Sequence, residues 1–321
     1  MKWFRIFRSS VFCLLFLLST ALLFSRGILE QNHDNELVVA AIQFEINETR
    51  VQTFQHFHDS VTTLVNQAVD SGAQLIVFPE YTNVFLSLLP YAEQLTRVSS
   101  IEELMYRIIQ TNPVIDDPKD FFFSTGPWVR IFMDMLYGEL AARHEVTIVA
   151  GTYFHGHEDH TITNRLVVYG TKGEILHQQD KVFLTDFEQE VIGLTPGSMD
   201  LAQPVTVQGL SLGFTICRDA FFPVWDQWYS GADVLIDVKA ENVEIEEQDW
   251  DYVSMAIPER VEQTEASYGL TVHLVGEFLD LFWEGHTSVY NGSLQEITRE
   301  TRDAEQEEVL LFTFNLPAKN E

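Results

Sequence analysis

The chain has 321 residues, 46% of them apolar, which excludes a disordered chain and supplies a core for one large domain. Its formal charge is −29; residues 1–29 hold four basic residues and no acid, so the remainder carries −33. A body that acidic repels phosphate backbones, which argues against a nucleic-acid partner, and its plain consequence is solubility.

Lys2, Arg5 and Arg8 precede an apolar run from Val11 to Phe24, broken only by Cys13, Ser19 and Thr20. A basic start followed by about 14 apolar residues fits a secretory segment and is short for a span of about 20. Residues 1–27 therefore read as a signal anchor or a signal peptide. Trp3, Phe4, Ile6 and Phe7 would sit at the membrane interface of an anchor, and Ser19-Thr20-Ala21 is a weak cleavage site for a peptide. The run continues past that site through Leu22, Leu23 and Phe24, which favours the anchor. Both readings place the body outside the cytoplasm, membrane-anchored in the first and secreted in the second.

Residues 37–318 contain no low-complexity linker and read as one domain. Leu37–Phe44 is an apolar run suited to a strand buried on both faces. Residues 53–70 carry Phe54, Phe57, Val61, Leu64, Val65, Ala68 and Val69 at helical spacing, and Leu75–Phe78 is a second buried strand, so the three form a βαβ unit. Residues 84–130 are less regular and read as an inserted lid or entrance loop. A meander follows at 147–153, 164–169 and 175–180, with Gly173 in a hairpin-type turn. Leu210–Ile216, a helix over 223–230 and Val234–Val238 repeat the βαβ grammar. Ser71-Gly-Ala matches Ser230-Gly-Ala at the two helix-to-strand joints, which points to two related halves. Residues 241–251 are an acidic excursion; 259–267 is expected to be a helix, and 270–275 and 309–315 strands.

Three polar residues stand at strand ends, where open α/β sheets present their ligands. Glu80 follows the strand Leu75–Phe78, where an apolar wall would tune a carboxylate towards neutral pH. Lys181 ends the strand from Ile175. Cys217, the one cysteine after the N-terminal segment, ends Leu210–Ile216. A lone thiol there is a core residue or a nucleophile, and position alone leaves both open.

Taken together, Phe-Pro-Glu80, Asp-Lys181 with Phe-Glu188 beyond it, and Ile-Cys217-Arg-Asp resemble the carbon–nitrogen hydrolase (nitrilase) superfamily. Asn164, Gly173, Leu194-Thr-Pro-Gly197, Pro223 and Gly231-Ala-Asp233 extend the resemblance over the body of the chain. It implies an α-β-β-α sandwich of two pseudo-related halves, often paired as a homodimer or higher homo-oligomer. It also implies a cofactor-independent, metal-free enzyme acting on a small-molecule amide. Glu80 would be the base, Cys217 the nucleophile, and Lys181 with the backbone N–H of Arg218 the oxyanion donors. Glu188 would support the site, with Glu190 a lesser candidate because the spacing is about one residue short. Tyr81, Phe222 and His286 are candidate pocket residues. Cys217-Arg218-Asp219 differs from the Cys-Trp-Glu of true nitrilases and looks more like the amidase and carbamoylase branches. Amide hydrolysis through a thioester is the leading reading. Acyl transfer to an amine, as in the multi-span lipoprotein N-acyltransferases, and an idle binding domain of the same fold are the alternatives. His155-Gly-His-Glu-Asp-His160 matches no standard metal-ligand spacing and reads as a solvated loop between strands.

Overall fold

The computed structural model describes residues 36–241 and 255–315. The segment read as signal anchor or signal peptide, and all but the first residue of the acidic excursion 241–251, lie outside them. Among the described residues no helix is long and apolar enough to cross a membrane. Residues Leu37–Thr313 form one compact unit.

Its strands in chain order are β1 (Glu36–Ile46), β2 (Leu75–Val77), β3 (Thr147–Gly156), β4 (Ile162–Tyr169), β5 (Ile175–Asp180), β6 (Val205–Val207), β7 (Leu210–Ile216), β8 (Val234–Lys239), β9 (Tyr268–Phe278), β10 (Leu281–Trp283), β11 (Ser288–Asn291), β12 (Glu296–Glu300) and β13 (Glu308–Asn315). The helices used here are α1 (Phe54–Asp70), α2 (Ile101–Thr111), α3 (Pro118–Met133), α4 (Glu139–His144), α5 (Val224–Trp228) and α6 (Ala256–Thr264).

The pairings describe two six-stranded layers of the same design, joined where the end of β1 (Phe44–Ile46) pairs in parallel with Leu274–Gly276 of β9. One runs β13-β1-β2-β3-β4-β5 and the other β6-β7-β8-β9-β11-β12. In each, three strands are parallel (β1, β2, β3 and β7, β8, β9) and the next two antiparallel. The order places β1 on β7, β2 on β8 and β3 on β9, so the shared Ser-Gly-Ala joints occupy equivalent places. Gly72 and Gly231 both adopt positive φ there, +88° and +87°, which a glycine tolerates without strain. The two-halves reading is therefore borne out.

Alternate residues of the strands serve different faces. Ala40, Ile42, Ile76 and Phe78 pack with Phe57, Val61, Leu64, Val65 and Ala68 of α1. Thr53 caps that helix by accepting from His56 N–H at 3.1 Å. The opposite face of β1 carries Gln43, whose side chain accepts from Thr287 N–H at 2.9 Å and from the Thr301 hydroxyl at 2.6 Å, flanking β11 and β12. Gln179 on β5 likewise donates to the Phe214 carbonyl on β7 at 2.8 Å. In the other half Trp225 of α5, Tyr229 just after it, and Ile257 and Val261 of α6 form a second cluster with Leu235. Helix, sheet, sheet, helix is the layering that results.

Residues 84–130 differ from the expected lid. They form a 3₁₀ segment, a single helical turn, α2 and most of α3, and they bury Leu86, Leu104, Ile108, Phe121 and Phe122 in the first core. Pro118 opens α3, where a helix accepts a proline, with Asp117 as its cap, whereas Pro127 lies inside the same helix. The helix expected at 259–267 begins earlier, at Ala256, because Pro258 falls in the first turn, where no intrahelical donor is needed.

Candidate active site

Glu80 lies just beyond β2, on a turn whose next residue, Tyr81, has φ +60°. Thr152 on β3 steadies that turn by accepting from Tyr81 N–H at 2.8 Å. The Glu80 side chain is fully buried. Its Oε1 accepts from Lys181 Nζ at 2.9 Å and Asn164 Nδ2 at 2.8 Å, and its Oε2 from Ala240 N–H at 3.1 Å. Burial pushes its pKa up to about 7, against the pull of the Lys181 ammonium and with a further push from Glu188.

Lys181 follows β5. Its backbone N–H donates to the Asn164 carbonyl and its carbonyl accepts from Gly197 N–H, both at 2.8 Å. Its ammonium is buried between Glu80 and Glu188, with Glu188 Oε1 at 3.0 Å and Oε2 at 2.9 Å. Burial alone would lower its pKa. The carboxylate of Glu80, then the groups of Cys217 and Glu188, outweigh burial and hold the ammonium form firmly.

Glu188 sits in the helical turn Phe187–Ile192, which follows Lys181 closely. Its Oε1 accepts from the Tyr81 hydroxyl at 2.6 Å, and its Oε2 from Thr185 N–H at 2.8 Å. Burial favours its neutral form, but Lys181 and these donors prevail and its pKa is lowered. Glu190, the lesser candidate, is exposed.

Cys217 opens a 3₁₀ turn, Cys217–Phe221, with φ +52°, a conformation that costs a non-glycine residue about 1 kcal/mol or more and recurs where strand ends display nucleophiles. The thiol is half-buried. Burial raises its pKa well above the ordinary value, Glu80 adds to that and Lys181 opposes it, so the resting group is a thiol that needs a base. Asp219 ties this turn to the segment after Lys181. Its carboxylate accepts from Phe183 N–H at 2.8 Å and Val182 N–H at 3.1 Å. The Arg218 guanidinium donates to the Leu184 carbonyl at 2.8 Å, and Phe222 stacks on Phe183 with centroids 3.7 Å apart.

The structure thus brings Glu80, Lys181 and Glu188 into one hydrogen-bonded cluster whose charges bear on Cys217. Tyr81 belongs to it through Glu188. Phe222 borders it through Phe183. His286 is exposed, on the connection between β10 and β11, with Nδ1 2.9 Å from the Thr301 carbonyl. Of the expected loop His155–His160, His155 and Gly156 instead end β3, with His155 Nδ1 2.8 Å from the Tyr153 hydroxyl, and the connection to β4 begins at His157. Sequence reasoning missed Asp219, Lys239 and Glu241. The last two form a buried ion pair at the end of β8, Nζ to Oε1 2.9 Å. A lysine closing the apolar run Val234–Val238 was the available signal. An apolar groove lined by Phe54, Leu89, Trp128 and Phe132 lies on the helices of the first half and shares no lining residue with the cluster.

The carbon-nitrogen hydrolase family model matches residues 38–317. The chain belongs to that family. As an enzyme of this kind it is a carbon–nitrogen hydrolase, and its fold is that of solved nitrilase-superfamily members. An amidase from Nesterenkonia sp. AN1, solved with acrylamide added to its active-site cysteine, is 17% identical, with 88% of this chain and 94% of that chain covered at a TM-score of 0.61. A carbon-nitrogen hydrolase from Helicobacter pylori G27 is 17% identical over 88% and 90% of the two chains, TM-score 0.65. Nit3 of Saccharomyces cerevisiae, from branch 10 of the nitrilase superfamily, gives 17%, 88%, 90% and 0.60. No curated protein sequence matches.

Proposed function

We propose that this carbon–nitrogen hydrolase is an amidase that cleaves a non-peptide amide through an acyl-thioester on Cys217, with Glu80, Lys181 and Cys217 as its triad. The observation that carries the reading is the buried bridge of Lys181 between Glu80 and Glu188, set against a thiol at positive φ. The Glu80 carboxylate takes the thiol proton, and sulfur attacks the amide carbon while the carbonyl π pair moves to oxygen. The Lys181 ammonium and the backbone N–H of Arg218 stabilise that oxyanion. Collapse breaks the C–N bond, and the amine leaves with the proton held on Glu80. Water then loses a proton to Glu80, attacks the thioester and releases the acid and Cys217. Glu188 holds Lys181 in place and takes no proton.

Mass spectrometry of the protein mixed with a panel of amides and amine acceptors tests this. An acyl adduct on Cys217 that decays to free acid is expected, and its absence from Cys217 in every mixture would sink the mechanism. Decay only when an amine acceptor is present would assign acyl transfer instead. We also propose an extracytoplasmic site of action with the N-terminus as membrane anchor, supported by Lys2, Arg5 and Arg8 ahead of the apolar run. Fractionation of cells expressing the full chain checks it, and a soluble protein shortened at its N-terminus would favour secretion. The resemblance further implies a homodimer or higher homo-oligomer, which light scattering would measure.

A further inference from the structure

A second set of buried charges stands beside the triad, and the reaction proposed above does not use it. Ile216 pairs with Val238 across β7 and β8, and Lys239 with His273 across β8 and β9, so Lys239 occupies the strand edge next to Cys217. Lys239 is 1% exposed and Glu241 7%. Between them, Ala240 N–H donates to the base Glu80. By the pseudo-repeat, Lys239 follows Gly231 at the same interval as Glu80 follows Gly72. The pair therefore occupies, in the second half, the place that carries the base in the first.

The pair does not activate the thiol. Glu241 raises the pKa of Cys217 and Lys239 lowers it, so their effects oppose. Nor is the pair complete in itself. Lys239 Nζ takes Glu241 Oε1 at 2.9 Å, while the buried Oε2 has no hydrogen-bond partner among the described residues. A buried carboxylate oxygen without a donor is costly and is retained where something else supplies the donor. The local charge says what kind. Four carboxylates, Glu80, Glu188, Asp237 and Glu241, share this edge with two ammonium groups, Lys181 and Lys239.

We propose that Glu241 is the specificity-determining residue of this site, its Oε2 accepting from a cationic nitrogen, a primary ammonium or guanidinium, on the amide that Cys217 attacks. Such a substrate supplies the missing donor and offsets the surplus negative charge in one contact. Lys239 is the positioning residue that fixes the other oxygen. The inference rests on the amide-hydrolase reading.

The test compares an ω-aminoalkyl amide with the alkyl amide of equal length, on the full chain and on Glu241→Gln. The expected kcat/KM favours the ammonium substrate by roughly tenfold or more, and the preference collapses in the variant through KM. Equal rates in the unaltered protein, or a ratio that the variant leaves unchanged, would overturn the inference. A second measurement needs neither the variant nor turnover: alkylation of Cys217 by iodoacetamide with n-butylammonium or butanol present. Slowing by the ammonium alone supports a cation site, and equal rates overturn it. If no amide acylates Cys217, the hydrolase reading fails, while the protection experiment still reports on Glu241.

Discussion

Asn164 holds Lys181 from two directions. Its carbonyl accepts from the Lys181 backbone N–H at 2.8 Å, and its side-chain amide donates to Glu80 at 2.8 Å and Glu188 at 3.2 Å, the two carboxylates that the Lys181 ammonium also contacts. One residue on β4 thereby sets both the position of the lysine and the orientation of its counter-charges. Asn164→Ala removes a donor to the ionised form of both acids. Glu80 should then ionise at higher pH, so the acid side of the rate profile moves up, and the rate at neutral pH falls by roughly tenfold, one lost hydrogen bond to a charged group. A profile that stays in place while the rate drops would show that Asn164 acts on geometry alone.

The unaltered protein should show a rate limb at an unusual pH. The proposed reaction needs Glu80 as carboxylate, and burial pushes its pKa up to about 7. Activity should therefore fall as pH drops through about 7, where an ordinary glutamate would keep working well below that. Lys181 stays charged across this range, since its pKa is raised, so it adds no limb there. Steady-state kcat/KM between mildly acidic and mildly alkaline pH measures it. A limb in the ordinary carboxylate range would remove Glu80 as the base.

Tyr81 was expected at the pocket and is found as a support of Glu188, with its hydroxyl 2.6 Å from Oε1. Tyr81→Phe keeps the ring packed on Phe154 and deletes only that hydrogen bond. Glu188 would still hold Lys181 and Thr185. The expected result is a drop in kcat of about 3- to 30-fold, with KM nearly constant and stability lowered by about 1 kcal/mol. Circular dichroism melts alongside the kinetics separate a positioning effect from unfolding.

Much of this arrangement was legible because strand ends are legible. Glu80 and Cys217 each terminate an apolar run and Lys181 a more polar strand, ILHQQD, and their order matches a known family, so the layers and their halves could be read from periodicity and punctuation. The helices of residues 84–130 were not, because Pro90, Pro118 and Pro127 and the Phe121–Phe123 cluster mask a helical stripe that is recognised only once it packs on the first sheet. Asp219 and Glu241 were missed for another reason. Each does its work across the sheet edge, on partners such as Val182 and Phe183 that no local spacing connects to it.

Gly197 illustrates a residue whose reason is purely steric. Its N–H holds the Lys181 carbonyl, and a Cβ there would meet the Asp180 Cβ at 2.5 Å and its carbonyl oxygen at 2.7 Å. Neither neighbour can give way easily, since Asp180 is itself clasped by Arg165 at 2.6 and 2.8 Å. Gly197→Ala must push the loop off Lys181, at a cost of about 1–3 kcal/mol, which for a chain of this size lowers Tm by roughly 2–10 °C. Activity should fall by more than stability does, because the displaced carbonyl belongs to the lysine that completes the cluster. Gly209→Ala is the control: φ there is +83° with open space around the added carbon, so it should cost about 1 kcal/mol of stability and leave the rate untouched. Equal losses of rate in the two variants would show that the Gly197 contact does not position Lys181.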